Sequence, residues 1–237
     1  MQFEILERPS YAVLEVSLER GEEIAATPGA MVTRTPDVVM EANVGGGDGI
    51  GAMVERAVSD RAGPGLVETV FSARHRGGTV TLAPDYPGDV AAIDVTETGP
   101  LRAQTGSALA WQPVVERAPA GETVSSGTPA VVLRGRGRAF LSSFGALTER
   151  TVTPDEPLVG DEDHLVAWTA DLDADRRRTG GVKTGALGGE GTVLTLSGKG
   201  RAWVQTRDPA SFGQSEAART RSARGRDRET EHRPDRT

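Results

Sequence analysis

The stretch GTVTLAPDYPGDVAAIDV at residues 78–95 decides the fold, because GRAFLSSFGALTERTV at residues 137–152 repeats its pattern. Each segment begins with glycine, continues as a strand-like stretch, turns at Gly or Pro, and ends in a second strand-like stretch closed by valine. Further along, GSALAW at residues 106–111 and DHLVAW at residues 163–168 recur 57 residues apart. Recurrence of the same order and spacing predicts structural repeats of just under about 60 residues.

A third unit is divided between the two ends of the chain. GKGRAWVQT at residues 198–206 matches its first half, and YAVLEVSLERGEEIAATPGAMV at residues 11–32 matches its second half. A unit built from both ends predicts that the ends meet and that a ring of three pseudo-symmetric repeats closes. Closure removes the exposed sheet edges that all-β folds must otherwise protect. We therefore predict one compact domain over residues 1–207.

Strand-like segments account for most of this region. They are rich in β-branched residues or alternate between apolar and polar positions, and turns separate them at spacings of roughly 8–12 residues. This pattern is typical of an all-β sandwich or barrel. The 30 Gly and 14 Pro residues disfavour a helix bundle. One short inserted helix is predicted at residues 50–58 from its helical apolar spacing, and we expect it to cap the β body or contact another subunit.

Composition and charge narrow the range of functions. The chain has no Cys, which excludes disulfides, thiolate metal sites and Cys nucleophiles. Its net charge of −7 disfavours non-specific nucleic-acid binding, so nucleic acid is not an expected partner. Residues 208–237 contain no Val, Ile or Leu, which predicts a disordered mixed-charge tail. The chain shows neither a long apolar run nor a signal-like beginning, so we predict a cytoplasmic protein.

Several blocks of sequence together resemble one protein family. They are FEIL, YAVLEVSLERGEEIAATPGAMV, LAPDYPGDVAAIDV, FLSSFGA and GGEGTVLTLSGKGRAWVQTR. Over about residues 2–207 the chain is similar to the mitochondrial biogenesis family named for altered inheritance of mitochondria protein 24, whose prokaryotic members form a domain-of-unknown-function family. The resemblance implies a β-rich fold akin to the β-sandwich of the trp RNA-binding attenuation protein. It implies a link to inner-membrane organisation only for the mitochondrial members, and no catalytic or binding residues to carry over.

Basic residues concentrate at three predicted hairpin tips. If the repeats are present, all three tips lie at one end of a pseudo-threefold axis on an otherwise acidic body. Such a patch can hold phosphate oxygens of lipid headgroups, nucleotides or RNA. The plain alternative is that charged tips keep the hairpins soluble. The anion-binding hypothesis names seven residues: Arg74, Arg76, Arg134, Arg136, Arg138, Lys199 and Arg201.

Other patterns favour structural roles. GDGIGA at residues 47–52 matches a dinucleotide fingerprint, but no βαβ crossover follows, so a glycine loop is favoured. DEDH at residues 161–164 offers carboxylate and imidazole groups, but neighbours on a strand point to opposite faces, so an acidic turn is favoured over a metal site. We predict no catalytic residue, no cofactor and no metal. Core or subunit-interface positions are predicted for Trp111, Trp168 and Trp203.

These observations predict a non-enzymatic scaffold or interaction protein. We expect a homo-oligomer in the cytoplasm, peripheral at the inner face of the membrane, with an anionic membrane surface as a further partner. Two alternatives stay open: an RNA- or nucleotide-binding module, from fold analogy alone, and a metal-dependent enzyme around residues 161–164. Steep salt dependence of binding would favour the first alternative, and metal in the purified protein would favour the second.

Overall fold

Alternation of apolar and polar residues produces a fold of short β-strands. The computed structural model describes residues 1–44, 67–120, 130–177 and 192–209. The strands in these ranges are β1 (Gln2–Leu6), β2 (Val13–Leu18), β3 (Glu23–Ala26), β4 (Met31–Arg34), β5 (Val38–Val44), β6 (Val67–Ala73), β7 (Gly78–Leu82), β8 (Val90–Asp94), β9 (Leu101–Gln104), β10 (Ala108–Trp111), β11 (Val115–Pro119), β12 (Ala130–Gly135), β13 (Arg138–Ser142), β14 (Leu147–Val152), β15 (Leu158–Asp161), β16 (Leu165–Thr169), β17 (Asp173–Arg177), β18 (Val193–Ser197) and β19 (Gly200–Gln205).

Helical structure is sparse within the same ranges. It comprises one four-residue helix, α1 (Val95–Thr98), and two 3-10 turns, Thr105–Ser107 and Glu162–His164. The predicted all-β class is therefore confirmed. The helix predicted at residues 50–58, and all but the first two residues of the tail predicted at residues 208–237, lie outside the described residues.

The order of strands in the sheets shows the repeat. Two six-stranded sheets have the orders β5-β6-β3-β10-β13-β8 and β11-β12-β9-β16-β19-β14. Every strand of the second sheet comes six strands after its counterpart in the first. A four-stranded sheet, β1-β2-β7-β4, and a three-stranded sheet, β15-β18-β17, hold the other described strands. The threefold repeat is thus present as the six-strand units β2–β7, β8–β13 and β14–β19, and β1 is an addition that pairs with β2. The prediction that one unit is divided between residues 198–206 and 11–32 is wrong, because β19 pairs with β14 and β16 of its own continuous unit.

A β-bulge recurs at the same place in each repeat and aligns the three units. It lies in β4, β10 and β16, where each strand pairs with the last strand of its own repeat. A bulge inserts one extra residue and shifts the pairing that follows. The first paired residues after the bulges are therefore equivalent: Thr33, Ala110 and Ala167.

Neighbouring repeats join through strand pairs that we call seams. In seam one β3 pairs with β10, and Ala26 lies opposite Ala110. In seam two β9 pairs with β16, and Ala103 lies opposite Ala167. Since β15 is equivalent to β3 and β9, and β4 is equivalent to β10 and β16, a third seam would pair β15 with β4. Among the strands described, however, these two strands are outer edges of separate sheets. The prediction of a closed ring without exposed edges is therefore wrong.

The third seam also differs from the other two in its side chains. Seams one and two each contain a buried indole, that of Trp111 or Trp168. The equivalent residue of the first repeat is Arg34, whose guanidinium donates a 2.6 Å hydrogen bond to the Val38 carbonyl of its own repeat. β4 therefore has a charged side chain, which is costly to bury without a partner, where the paired seams have a buried ring. All four residues of β4 are exposed.

The described residues form three hydrophobic clusters, of which the first two each combine residues from neighbouring repeats. The first contains Phe71 and Phe140, the second contains Trp111 and Trp203, and the third contains Trp168. The prediction that all three Trp residues lie in the core or an interface is confirmed, since all are buried. Burial of one large apolar side chain stabilises a fold by about 1.5–3 kcal/mol. The third cluster has the fewest buried residues because no neighbouring repeat covers it at the third seam.

Candidate functional site

The seven predicted cations lie at three turns where the chain passes from one sheet to another. β6 and β7, β12 and β13, and β18 and β19 belong to different sheets. The hairpins predicted at these places are therefore wrong, and we call the turns corners: corner one at residues 74–77, corner two at 134–138, and corner three at 198–201. Because the corners lead into the equivalent strands β7, β13 and β19, they lie at the same end of their repeats.

Glycine shapes corners two and three. Gly135 and Gly198 occupy equivalent positions with φ of +123° and +114°, a region that side chains other than glycine rarely adopt. A Cβ atom on Gly135 would lie 2.5 Å from the Val114 carbonyl oxygen. The next residues along the chain are Arg136 and Lys199, both exposed. Backbone geometry therefore presents one cation at the same point of corners two and three.

Five of the seven cations already have an intramolecular partner. Arg134 forms a fork with the Glu116 carboxylate, with distances of 2.9 Å from Nε and 2.7 Å from Nη2. This pairing holds the pKa of Glu116 below its ordinary value. The other four contacts are Arg74 with Glu41, Arg76 with Asp37 at 3.7 Å, Arg201 with Glu149 at 3.7 Å, and the Arg138 guanidinium 4.9 Å from the centroid of the Phe3 ring.

Arg136 and Lys199 are the exceptions. Neither has a hydrogen bond, ion pair or ring contact to any residue in the four described ranges. Exposed ion pairs such as those of the other corner cations contribute only about 0–1 kcal/mol, so an incoming anion can compete for those groups. The corners thus combine two uncompensated charges with several weakly held ones, and anion binding by them stays a prediction.

A small cavity lies at the opposite end of the repeats. Its volume is about 70 Å³, and its lining includes Gln104, Ser107, Ser142 and Gln205. This is far below the roughly 300–1,000 Å³ of sites for drug-sized ligands. Its polar groups also serve the fold, since the Gln205 amide donates to the Asp163 carbonyl at 2.8 Å and the Ser142 hydroxyl lies 3.4 Å from the Ser107 carbonyl.

Residues 161–164 comprise the last residue of β15 and the 3-10 turn before β16, and three of their side chains have partners in the fold. The Asp161 carboxylate accepts a 2.9 Å hydrogen bond from the Asp163 backbone N–H. The buried Glu162 carboxylate pairs with Arg176 at 2.8 Å, and His164 Nδ1 lies 2.8 Å from the Gln205 carbonyl oxygen. Burial, followed by nearby acidic groups, raises the pKa of Asp163. The described part of the chain contains no group of three or more His, Asp or Glu residues placed to hold a metal ion.

A buried ion pair that sequence reasoning missed joins the first two strands to the second repeat. The Asp89 carboxylate is buried and accepts hydrogen bonds of 2.7 Å and 2.8 Å from Nε and Nη2 of Arg8. Such forked, charge-assisted bonds are among the strong ones in proteins, and this one raises the pKa of Arg8. The two residues lie 81 positions apart, so no local pattern indicates the pair.

A second missed cluster lies at seam one. The Arg117 guanidinium is 4.9 Å from the ring centroid of Trp111, and Glu68 forms a side-chain hydrogen bond with the same Trp. Burial raises the pKa of Glu68 and lowers the pKa of Arg117. At seam two, the buried indole N–H of Trp168 has no acceptor in the described residues. The repeated Trp was the sequence signal, but Glu68 and Arg117 come from two different repeats and meet at the Trp of seam one.

Comparison with known proteins places the chain in a group of relatives. A family model described as Mitochondrial biogenesis AIM24 matches residues 3–207. An uncharacterized protein from Streptococcus pyogenes serotype M6 is 28% identical over 223 residues, covering 90% of this chain and 88% of that protein. The crystal structure of a protein from Streptococcus pyogenes superposes with a TM-score of 0.75 at 26% identity, covering 90% of this chain and 97% of that one. No helix in the described ranges is long and apolar enough to cross a membrane.

Proposed function

This chain belongs to the mitochondrial biogenesis AIM24 family, and from that premise we propose that it is a non-enzymatic, self-associating interaction module that holds an anionic membrane surface with its corners. One observation carries the proposal. Arg136 and Lys199 occupy equivalent exposed positions at the same end of two repeats, and neither has a partner within the described ranges. The proposed place of action is the cytoplasmic face of the cell membrane.

The charges set the expected strength of this binding. A Lys or Arg close to an anionic membrane contributes about 1 kcal/mol. Arg136 and Lys199 together therefore contribute about 2 kcal/mol, or roughly 30-fold in partitioning. The chain as a whole carries a net charge of −7, which opposes the approach of a polyanion. One copy therefore binds weakly, and several linked copies bind much more strongly through effective concentration.

Vesicle flotation of the full chain tests the proposal. Vesicles of phosphatidylcholine alone are compared with vesicles that also contain phosphatidylglycerol, across a salt series. We expect flotation only with the anionic vesicles, decreasing with salt. The double variant R136S/K199S should lose roughly 30-fold in partitioning, whereas R150S/R207S, which removes two exposed charges outside the corners, should not.

Three outcomes would contradict the proposal. Equal loss in both double variants would mean that net charge, and not the corners, controls binding. Flotation on neutral vesicles would point to an apolar contact. If the chain does not float at any salt concentration but binds single-stranded RNA with a steep salt dependence, the partner of the corners is nucleic acid and not a membrane.

A further inference from the structure

The third seam exposes two strand edges whose equivalents are paired elsewhere in the molecule. β4 is equivalent to β10 and β16, and β15 is equivalent to β3 and β9. In seams one and two, strands of these two kinds pair antiparallel. Within the described strands, β4 and β15 have no partner on their outer edges. The molecule therefore carries both halves of a seam that it does not itself form.

Both edges of the third seam expose an apolar side chain. Val32 is 54% exposed, whereas the residues at the same position in the other repeats, Leu109 and Val166, are 2% and 0% exposed. On the other edge Val159 is 62% exposed, whereas its counterpart in seam one, Ala25, is buried and its counterpart in seam two, Arg102, is half-buried. At both edges of the third seam an apolar side chain is thus more exposed than its counterparts in the paired seams.

These edges also lack the features that usually prevent strand addition. Natural sheets protect their edges with charged residues and proline. Other edge strands of this molecule carry them: β11 contains Glu116 and Pro119, and β14 contains Glu149 and Arg150. β4 and β15, with the sequences MVTR and LVGD, have a charge only at their last residue. Their remaining positions are suited to pairing.

We propose that β15 of one copy of the chain pairs antiparallel with β4 of a second copy, which forms the third seam between molecules. The registers of seams one and two place Gly160 opposite Thr33 and Val159 opposite Arg34. Small residues meet at this central point in both internal seams, as Ala26 with Ala110 and as Ala103 with Ala167. The joined sheet then runs β17-β18-β15 in one copy and β4-β7-β2-β1 in the next.

Within one molecule, the open edges of β4 and β15 do not pair with each other. Within a single chain they are tethered, which corresponds to an effective concentration in the millimolar range, yet they remain the edges of separate sheets. The β15 strand of a second copy is not tethered in this way and can pair with β4 antiparallel, as the strands of seams one and two do. Since the two edges differ, the contact is heterologous and passes from copy to copy, giving a ring or a chain of molecules. The inference deepens the proposed self-association and rests on it.

Disulfide trapping tests the register directly. Since the chain has no Cys of its own, a disulfide can form only between the introduced residues. Full-length T33C and G160C variants are prepared separately, mixed and oxidised. A Cβ atom at Gly160 has no neighbour closer than Leu165 at 3.8 Å, so this substitution fits the fold. We expect disulfide-linked dimers from the T33C and G160C mixture. None should form when T33C is mixed with T151C, a control on the exposed edge of β14.

The double variant T33C/G160C separates the two ways of closing the seam. Pairing between copies gives a ladder of linked oligomers, whereas an internally linked monomer alone would overturn the inference. Sedimentation of the unmodified chain over a concentration series separates this failure from that of the proposed function. Oligomers without cross-linking would preserve self-association and refute the seam, and a monomer at every concentration would refute both.

A charge at either edge supplies a second readout. V32K and V159K each place a cation at a position that the proposed seam covers. Each should raise the dissociation constant of self-association by about tenfold or more, equivalent to about 1.4 kcal/mol. Exposed V67K, away from the seam, is the matched control. Unchanged association of V32K and V159K would overturn the inference.

Discussion

Replacing Gly88 by Ala should be one of the most damaging single-methyl changes in this protein. Gly88 forms a parallel bridge with Gly145 at the loop before β8. A Cβ atom on Gly88 would overlap the carbonyl oxygen of Ser143 and lie 2.7 Å from its carbonyl carbon. Since both of these atoms belong to the backbone, no side-chain rotation relieves the contact. The two backbone segments must move apart.

The hydrogen bonds between the segments give the magnitude. Separation breaks the bonds from Asp89 N–H to the Gly145 carbonyl at 3.0 Å, from Ser143 N–H to the Asp89 carbonyl at 3.0 Å, and from Gly145 N–H to the Pro87 carbonyl at 2.9 Å. At a net contribution of about 1 kcal/mol each, the loss is about 3 kcal/mol in the free energy of unfolding. For a protein of this size that corresponds to a fall in Tm of roughly 6–12 °C.

Thermal and urea unfolding of the full chain measure the effect, with G106A as the matched control. A Cβ atom on Gly106 would meet nothing within 4 Å, and this glycine has no left-handed φ. G106A should therefore be neutral, or more stable by about 0.4–1 kcal/mol through the unfolded state. If G88A unfolds within about 1 kcal/mol of the parent chain, the packing argument is refuted.

Two further predictions concern seams one and two. W168F should lower the free energy of unfolding by about 1–2 kcal/mol less than W111F does. The reason is that the indole N–H of Trp168 has no acceptor in the described residues, whereas that of Trp111 bonds to Glu68. Equal losses in urea unfolding would contradict this. E68Q should flatten the pH dependence of stability, since burial raises the pKa of Glu68. The stability linked to this group is complete below its unfolded pKa and is lost as the pH rises through the higher folded pKa, so an unchanged slope of unfolding free energy in that window would refute its role.

The repeat was predictable from sequence because each unit carries its own local pattern. The Ala-Trp pair that ends β10 recurs in β16. Glycine recurs at the corners for a local reason, since Gly135 and Gly198 both need a positive φ. These signals depend only on neighbouring residues along the chain, so a single sequence is enough to recognise them. They led to the all-β class and to the order of the units.

The pairing of strands was less predictable because it depends on residues far apart. The corners were interpreted as hairpins, since two short strands joined by glycines look the same whether or not they pair. In the structure β12 pairs with β9 and β11, and β13 pairs with β8 and β10. Likewise, the carboxylates that neutralise the corner cations come from other strands, as Glu116 does for Arg134.

The sequence by itself determined the strand-forming periodicity, the three repeated units and the positions of the cations, because each follows from local composition and spacing. Only the tertiary structure decided which cations remain uncompensated and which sheet edges remain open, because both depend on contacts between distant segments. Arg34 in the place of a Trp is the clearest case. All four residues of β4 are exposed, and the difference at Arg34 can be recognised only by comparison with the two seams that contain Trp111 and Trp168.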